Sequence, residues 1–579
     1  MTKRTPRKWL VCRSNLEYVE YVSRLASVSL PFAQVLINRG IKTPEQIQTF
    51  LNPHREQLSD PMELPGIREA IERIRLAKER GEIVLIHGDY DADGISATAI
   101  MVEGLRQLGI ESRYFIPNRG LHGYGFGAAG VECARKSGAA LIITVDCGIG
   151  SFDACSEARR HGIDVVITDH HEPVRSPEPQ DAGTETPACL TPEAVAVVNP
   201  RLMSGLSPLR DLSGAGVAFS IVRALLGPHS DAVFPLFDLA ALGTAADVVP
   251  VFGDNRIMLR EGMRLIHSRQ RPGIRALKEV SGVRSDVIRT SILNFTLIPR
   301  INAAGRIDDA TDVVTLLTTE LWAEAERLAL WLNELNARRQ RVEESVYQEA
   351  LQLLERIDVD RCGAIVLASE GWHPGVVGIV ASRIAEEHQR PTFILAIEDG
   401  VAKGSGRSIP VFDMHHGLSR CSGLLTRFGG HRQAAGLSLS ADMIETFTTA
   451  ISGIALDALS KEDCTPSLRL DASVTLADVT TTLTAEIARL EPFGYGNEEP
   501  LFGARGLEAV VPRTVGNNHL KMHLKQESVS LDTIGFDMGG LLGSLGKGMR
   551  FDAAFLPLVN EWNGGRFLQL NLKALRRSS

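Results

Sequence analysis

IVLIHGDYDADG, residues 83–94, is the stretch on which the fold turns. A short apolar run stops abruptly at His87, Asp89, Asp91 and Asp93, and a helical stretch follows. That is how a buried strand of a parallel α/β sheet leaves the core. At strand spacing the four polar residues share one face, and carboxylates crowded in this way repel one another unless cations neutralise them. Alone, the stretch also reads as an acidic turn or a helix cap.

The same beat returns in ALIITVDCG (140–148), DVVITDHHE (164–172), AVAVVNP (194–200) and FDLAALGTAADVVP (237–250). Each is read as a strand, which predicts a parallel sheet between Ile83 and Pro250. Asp146, the run Asp169-His170-His171 and Asp247 then fall at strand ends, and open α/β sheets place ligands beyond the carboxyl ends of their strands. Four such clusters together point to metal binding. Carboxylate oxygens with one or two imidazoles and no thiolate favour manganese or magnesium over structural zinc, and Cys147 beside Asp146 reads as a packed small residue. Two such ions suit hydrolysis of a phosphate ester.

At 579 residues the chain is too long for one core, so two to four domains are expected. Hydrophobic residues at 44% and charged residues at 23% exclude a disordered or fibrous chain. The net charge of −8 gives no argument for nucleic acid, so any anionic substrate must be met by a local patch. Eight scattered cysteines without a C-x-x-C pair suggest a reducing, cytoplasmic compartment. The basic start MTKRTPRKWLVCRSN lacks the apolar stretch of a secretory signal, and no segment is apolar for long enough to span a membrane.

Five stretches follow from the pattern. Residues 1–80 form a helical region with a capping signal in IKTPEQIQTFL, and residues 81–320 carry the parallel sheet, interrupted by the Pro-, Thr- and Glu-rich surface loop 172–193. Residues 321–357 lack Gly and Pro and keep helical spacing. At about 1.5 Å per residue this helix spans roughly 50 Å and reads as a connector. Residues 358–460 give a second α/β domain. Residues 461–579 give short alternating runs (SLRLDASV, EAVVPRTVG, HLKMHLK, SVSLDTIGF, RFDAAFLPLV, FLQLNLKAL), the pattern of a small barrel of the oligonucleotide-binding (OB) type.

HGDYDADG, TVDCG, TDHH and GTAADVVP resemble the four motifs of the DHH phosphoesterase superfamily, and FGGHRQAAG resembles the signature of its companion DHHA1 domain. IPNRGLHGYGFG, LSGAGVAF, PRINAAGRI, GWHPGVVGIVASR, SGRSI and PFGYGNEEPLF resemble the RecJ single-strand-specific exonucleases, from about residue 40 to the end. The resemblance implies a DHH-type catalytic domain, a long connecting helix, a DHHA1-like domain and an OB-type barrel. It also implies a 5′-to-3′ exonuclease that hydrolyses single-stranded DNA with two manganese or magnesium ions, in repair and recombination. The implied partners are single-stranded DNA, single-strand-binding protein and a helicase, and the implied state is a monomer.

Carried onto this chain, the resemblance implies Asp91, Asp93, Asp146, His170 and Asp247 as metal ligands, with His171 and Arg306 at the reacting phosphate. Asp89 and Asp169 take supporting roles, and His87 stands where related small pyrophosphatases have a ligand. Arg119, Arg300 and Asn302 lie in strings that would grip substrate; the arginines can hold phosphate bidentately. Ser405, Arg407 and Ser408 resemble a pocket for the terminal 5′ phosphate, with Gly429, Gly430 and His431 bringing the backbone close to substrate. Trp372 and His373 are candidates to pack on a base or ribose, and Trp372 reads equally as core. TVDCG departs from many relatives, which carry Asn there, without removing a ligand. Two rivals remain. A small-substrate phosphoesterase is opposed by the barrel, and a non-catalytic DNA-binding relative by the intact aspartates.

Overall fold

The computed structural model describes residues 8–578, apart from 124, 176–188, 269–270, 285–286, 547 and 563–564. The five stretches fall into two compact units. One is Leu10–Ile301 with Ala310–Ala329 and Arg469–Ser579; the other is Asn302–Asp309 and Leu330–Leu468, with the N-terminal residues up to Trp9.

The first unit contains a five-stranded sheet in the order Ser112–Phe115, Ile83–His87, Ala139–Val145, Asp164–Thr168, Ala196–Val198. Every pairing is parallel; His87 sits opposite Thr144, and Val145 opposite Thr168. After Ile83–His87 the chain goes first to one neighbour and then to the other, which makes a switch point at the end of that strand. The sheet differs from the strand readings in two places, one strand unforeseen and one reading corrected. Ser112–Phe115 (SRYF) is a strand that its half-buried, polar sequence did not announce. FDLAALGTAADVVP is not a strand: Phe237–Ala246 is a helix, buried through Thr244. An apolar run hides its period when all sides are buried, and its alanines favour the helix.

The N-terminal helices Leu16–Ala26, Leu30–Asn38 and Pro44–Leu51 belong to this unit, and the capping box of Thr43 and Gln46 forms at the last of them. Their apolar faces share one core with the C-terminal barrel, where Val22, Phe32, Leu36 and Phe50 join Leu483, Phe502, Leu524 and Phe555. The barrel strands run Phe502–Val515, His519–Gln526, Val529–Gly535, Gly565–Arg577, Arg550–Trp562, and Phe502 opposite Phe555 closes the ring. Of the run SLRLDASV, only Ala472–Ser473 adjoins the ring, in parallel with Phe502 and Gly503. Closure removes the exposed edges that an open sheet of this size would carry.

The second unit holds a mixed sheet in the order Arg427–Gly430, Ala434–Ser440, Val401–Arg407, Thr392–Glu398, Ile365–Glu370, in which only the last pair is parallel. One apolar cluster contains Phe393, Phe412 and Phe447, and another Trp372, Val380 and Ile384. The long helix is Trp322–Leu354. Ala325 and Leu328 are buried near its start, and Val346, Ala350 and Leu354 near its end, so both ends are embedded in a core. Within the loop 172–193, Val174–Arg175 pairs with Cys189–Leu190, and 176–188 lies outside the described residues. Among the described residues no helix is long and apolar enough to cross a membrane.

Candidate functional site

The strand Ile83–His87 ends sooner than strand alternation requires. Asp91 is the N-cap of the buried helix Ala92–Gln107, and its carboxylate accepts from the amides of Asp93 (3.0 Å) and Gly94 (3.1 Å). Turn and helix, rather than one strand face, therefore bring Asp89, Asp91 and Asp93 together. Gly94 is required there, because a Cβ would lie 2.6 Å from that of Asp89.

Asp93 is gripped by a second helix. The amides of Gly214 and Ala215, at the start of Gly214–Leu226, donate to its two oxygens at 2.7 and 2.9 Å. A Cβ on Gly214 would stand about 2.5 Å from the Asp146 carboxyl group, so only glycine lets that helix end meet both aspartates. Asp146 leaves its strand with φ +61, a left-handed conformation uncommon for a residue with a Cβ.

The four clusters do converge. His170 Nε2 lies 3.1 Å from Asp146 Oδ1 and 3.9 Å from Asp93 Oδ2, and its Nδ1 lies 3.6 Å from Asp247 Oδ2. Three overlapping groups result: Asp89, Asp91 and Asp146; Asp93, His170 and Asp247; Asp146, His170 and His171. Asp247 reaches the site from the C-cap of the helix Phe237–Ala246, an end where the helix dipole favours a cation over a lone carboxylate.

The electrostatics ask for cations. Burial, reinforced by neighbouring aspartates, raises the Asp89 carboxyl to about 8 and holds those of Asp93 and Asp146 well above the usual range. Asp146 Oδ1 is buried and accepts no hydrogen bond. Burial also lowers the pKa of His170, against the pull of Asp247, which favours the neutral imidazole a metal needs. Oxygen donors with one or two imidazoles therefore fit manganese or magnesium.

His171 has the opposite character. Its Nδ1 lies 2.7 Å from Asp169 Oδ1, and Asp169 also accepts from the amides of Ile149, His170 and His171. Burial opposes both charges, but the bond between them prevails: Asp169 falls to about 2 and His171 rises to about 9. The fully buried Asn199 donates to the His171 carbonyl at 2.9 Å and fixes the segment. Neither Asn199 nor the Gly214 and Ala215 amides were singled out from sequence. Ser213-Gly214-Ala215-Gly216 was the available signal, a helix start whose amides carry the function.

His87 stands apart from these groups. It is buried against Phe115 and Phe126 with its Nδ1 3.7 Å from Cys147 Sγ, and burial lowers it to about 4. Arg119 is exposed, its guanidinium 5.7 Å from the centre of the Tyr90 ring beside the aspartates. Arg300 bonds the Thr296 carbonyl at 2.6 Å in the helix Ile298–Ile307, which follows a π-helical turn at Leu293–Leu297; Asn302 is half-buried in the same helix.

In the second unit, Ser405 and Arg407 lie on Val401–Arg407, and Arg407 Nη1 donates to Ser405 Oγ and to the Gly406 carbonyl. A Cβ on Gly378 would stand 3.0 Å from Arg407 Nη2, so the first turn of the helix Val377–His388 abuts the guanidinium. Across the sheet Ser405 faces Gly436, which faces Gly429, while Gly429, Gly430 and His431 are exposed. Ser408 instead caps its own turn, donating to the Phe412 carbonyl at 2.7 Å. Arg306 Nη1 bonds the Gly375 carbonyl, and His373 Nδ1 accepts from the Gly375 amide. Trp372 is core: it is buried, and its indole donates to Glu349 at 2.9 Å, which removes it from base packing.

Comparison with known proteins matches three stretches to family models: the DHH family, N-terminal domain (83–244), the DHHA1 domain (362–456) and the RecJ OB domain (470–574). Single-stranded-DNA-specific exonuclease RecJ of Bacillus subtilis is 36% identical, covering 98% of this chain and 70% of that relative. Its Escherichia coli counterpart is 35% identical, covering 92% and 93%. Crystal structures of Thermus thermophilus RecJ in complex with Mn2+ and with Mg2+ superpose with TM-scores of 0.83 and 0.77 at 32% and 30% identity. Both cover all of this chain, and 80% and 79% of theirs.

Proposed function

Since the chain belongs to the RecJ family of single-stranded-DNA-specific exonucleases, we propose that it hydrolyses single-stranded DNA from the 5′ end with two divalent ions, in repair and recombination. The convergence of Asp89, Asp91, Asp93, Asp146, His170 and Asp247 carries this reading. Asp89 or Asp91 with Asp146 would hold one manganese or magnesium ion, and Asp93, His170 and Asp247 the other. Ions bound there would supply Lewis acidity toward the phosphate and a lowered pKa for the water that attacks it.

The remaining work falls to the chain itself. Asp169 keeps His171 protonated, so that Nε2 can donate to a phosphate oxygen as negative charge grows. Gly214 and Ala215 keep both Asp93 oxygens oriented, as outer partners of metal ligands do. Arg119, Arg300, Arg306 and Asn302 are assigned to phosphate and strand binding. Ser405 and Arg407 receive the 5′ phosphate beside the first turn of Val377–His388, with Ser408 shaping the turn and Gly429, Gly430 and His431 lying along the strand. His373 is assigned to the ribose. A cytoplasmic monomer acting with single-strand-binding protein and a helicase completes the reading.

The test is a time course on single-stranded DNA labelled at its 3′ end, with manganese or chelator, beside matched duplex. Metal-dependent shortening of the single strand from its 5′ end is expected. Binding without cleavage would indicate a scaffold, and indifference to DNA a small-substrate phosphoesterase.

A further inference from the structure

PFGYGNEEPLF (492–502) has no part in the chemistry above, yet the turn inside it is held from several directions. Asn497 is fully buried; its Nδ2 donates to the carbonyls of Leu490 and Pro492 at 2.8 Å each, and its Oδ1 accepts from Arg39 Nε at 2.8 Å. Arg39 also bonds the Glu498 carbonyl. Buried Arg256 donates to the carbonyls of Arg489, Leu490, Glu491 and Pro492, and lies over the Phe50 ring at 3.9 Å. Gly494 and Asn497 exchange backbone bonds of 3.0 Å. A Cβ at Gly494 would meet Val251 at 2.5 Å, and one at Gly496, whose φ is +77, would meet the Phe252 ring at 3.0 Å.

One backbone bond ties this turn to the chain that leaves the metal centre. The Val251 amide donates to the Tyr495 carbonyl at 2.9 Å, and Val251 follows Asp247 by four residues. Four extended residues reach at most roughly 14 Å. Tyr495 is 57% exposed, and Val248, next to Asp247, is 77% exposed. An aromatic ring left in water on so fixed a turn contributes little to the core. It is instead a preordered, low-entropy contact surface. Glu498 and Glu499 flank it and are exposed, so the turn does not attract phosphate, and what it offers is a ring face.

We propose that Tyr495 is a substrate-positioning residue whose ring stacks on a base of the single strand near the metal centre. The proposal rests on the exonuclease reading and names a contact within it. Stacking of this kind tolerates any base sequence, as a non-specific exonuclease requires.

The experiment walks one abasic nucleotide along a 5′-phosphorylated oligonucleotide and measures KM and kcat with manganese. In the unaltered protein KM should rise about tenfold or more at one position, with kcat little changed. Tyr495→Ala should raise KM by a similar factor on the intact strand and flatten the positional profile, whereas Tyr495→Phe should restore both. A purely structural residue would shift KM equally at all positions. If the unaltered protein degrades the intact strand but shows the same abasic profile as Tyr495→Ala, the proposal is overturned. If it leaves the intact strand whole, the exonuclease reading fails first, which is a different result.

Discussion

The two α/β sheets handle charge in opposite ways. The parallel sheet gathers buried carboxylates that repel one another. The mixed sheet places one arginine beside the first turn of a helix and exposes glycines along its edge strand. A cation site must be built from charged side chains, whereas an anion site can be built largely from backbone and one guanidinium. The largest test of this contrast is Asp93→Asn, which keeps an oxygen for the Gly214 or Ala215 amide but removes the charge. Cleavage should fall by at least about a thousandfold, and calorimetry should show loss of one manganese site. Near-normal turnover would break the metal assignment.

On the anion side, Arg407→Gln should raise KM for 5′-phosphorylated strands by about ten- to a hundredfold, the worth of a charge-assisted bond, while kcat holds. Strands with a 5′ hydroxyl should change little. An equal loss on both substrates would mean that Arg407 grips the strand generally, not its end.

The same contrast explains what the sequence disclosed. That Asp89, Asp91, Asp93, Asp146, His170 and Asp247 belong to one cluster was legible because charge at the end of an apolar run has few uses, whereas the choice of ligands among them is implied only by the family resemblance. The element carrying Asp247 was misread, since a helix buried on all sides shows no period. The strand Ser112–Phe115 was missed for the reverse reason: it is half-buried and has no long apolar run. The grip of Gly214 and Ala215 on Asp93 is made by amides, which every residue possesses, so no residue type signals it. The core shared by the N-terminal helices and the barrel joins residues more than 400 positions apart, such as Phe32 and Phe555, and no local pattern encodes such pairing.

Within the metal centre, Asp169→Asn separates the proton-holding pair from the ligands. Loss of an orienting carboxylate beside a metal site should lower kcat about ten- to a hundredfold. His171, raised to about 9 against its burial chiefly by the bond and charge of Asp169, should then titrate lower, because burial disfavours its cation and only the weaker pull of Asp247 and Asp89 remains against it. The alkaline limb of the kcat profile should move to lower pH. A profile that drops in height without moving would assign Asp169 to ligand placement alone.

The smallest effect is on stability and follows from the raised carboxylates. A group whose folded pKa exceeds its unfolded value binds its proton more tightly when folded. Its stabilising contribution is complete below about pH 4 and is lost as pH climbs through the folded value. Asp89, raised to about 8, loses that contribution across the neutral range, with Asp93 and Asp146 acting in the same sense. His87, lowered to about 4, acts in the opposite sense, but only below about pH 6.5. From pH 6.5 to 8 the loss is therefore unopposed by His87, and His171, raised to about 9, adds to it in the same sense. There the chelated protein should lose a few degrees of Tm as pH rises, and manganese should cancel the loss by taking the place of the protons. A chelated Tm that is flat or rising across that window would mean that the carboxylates are relieved within the fold, and the case for cations from their repulsion would go with it.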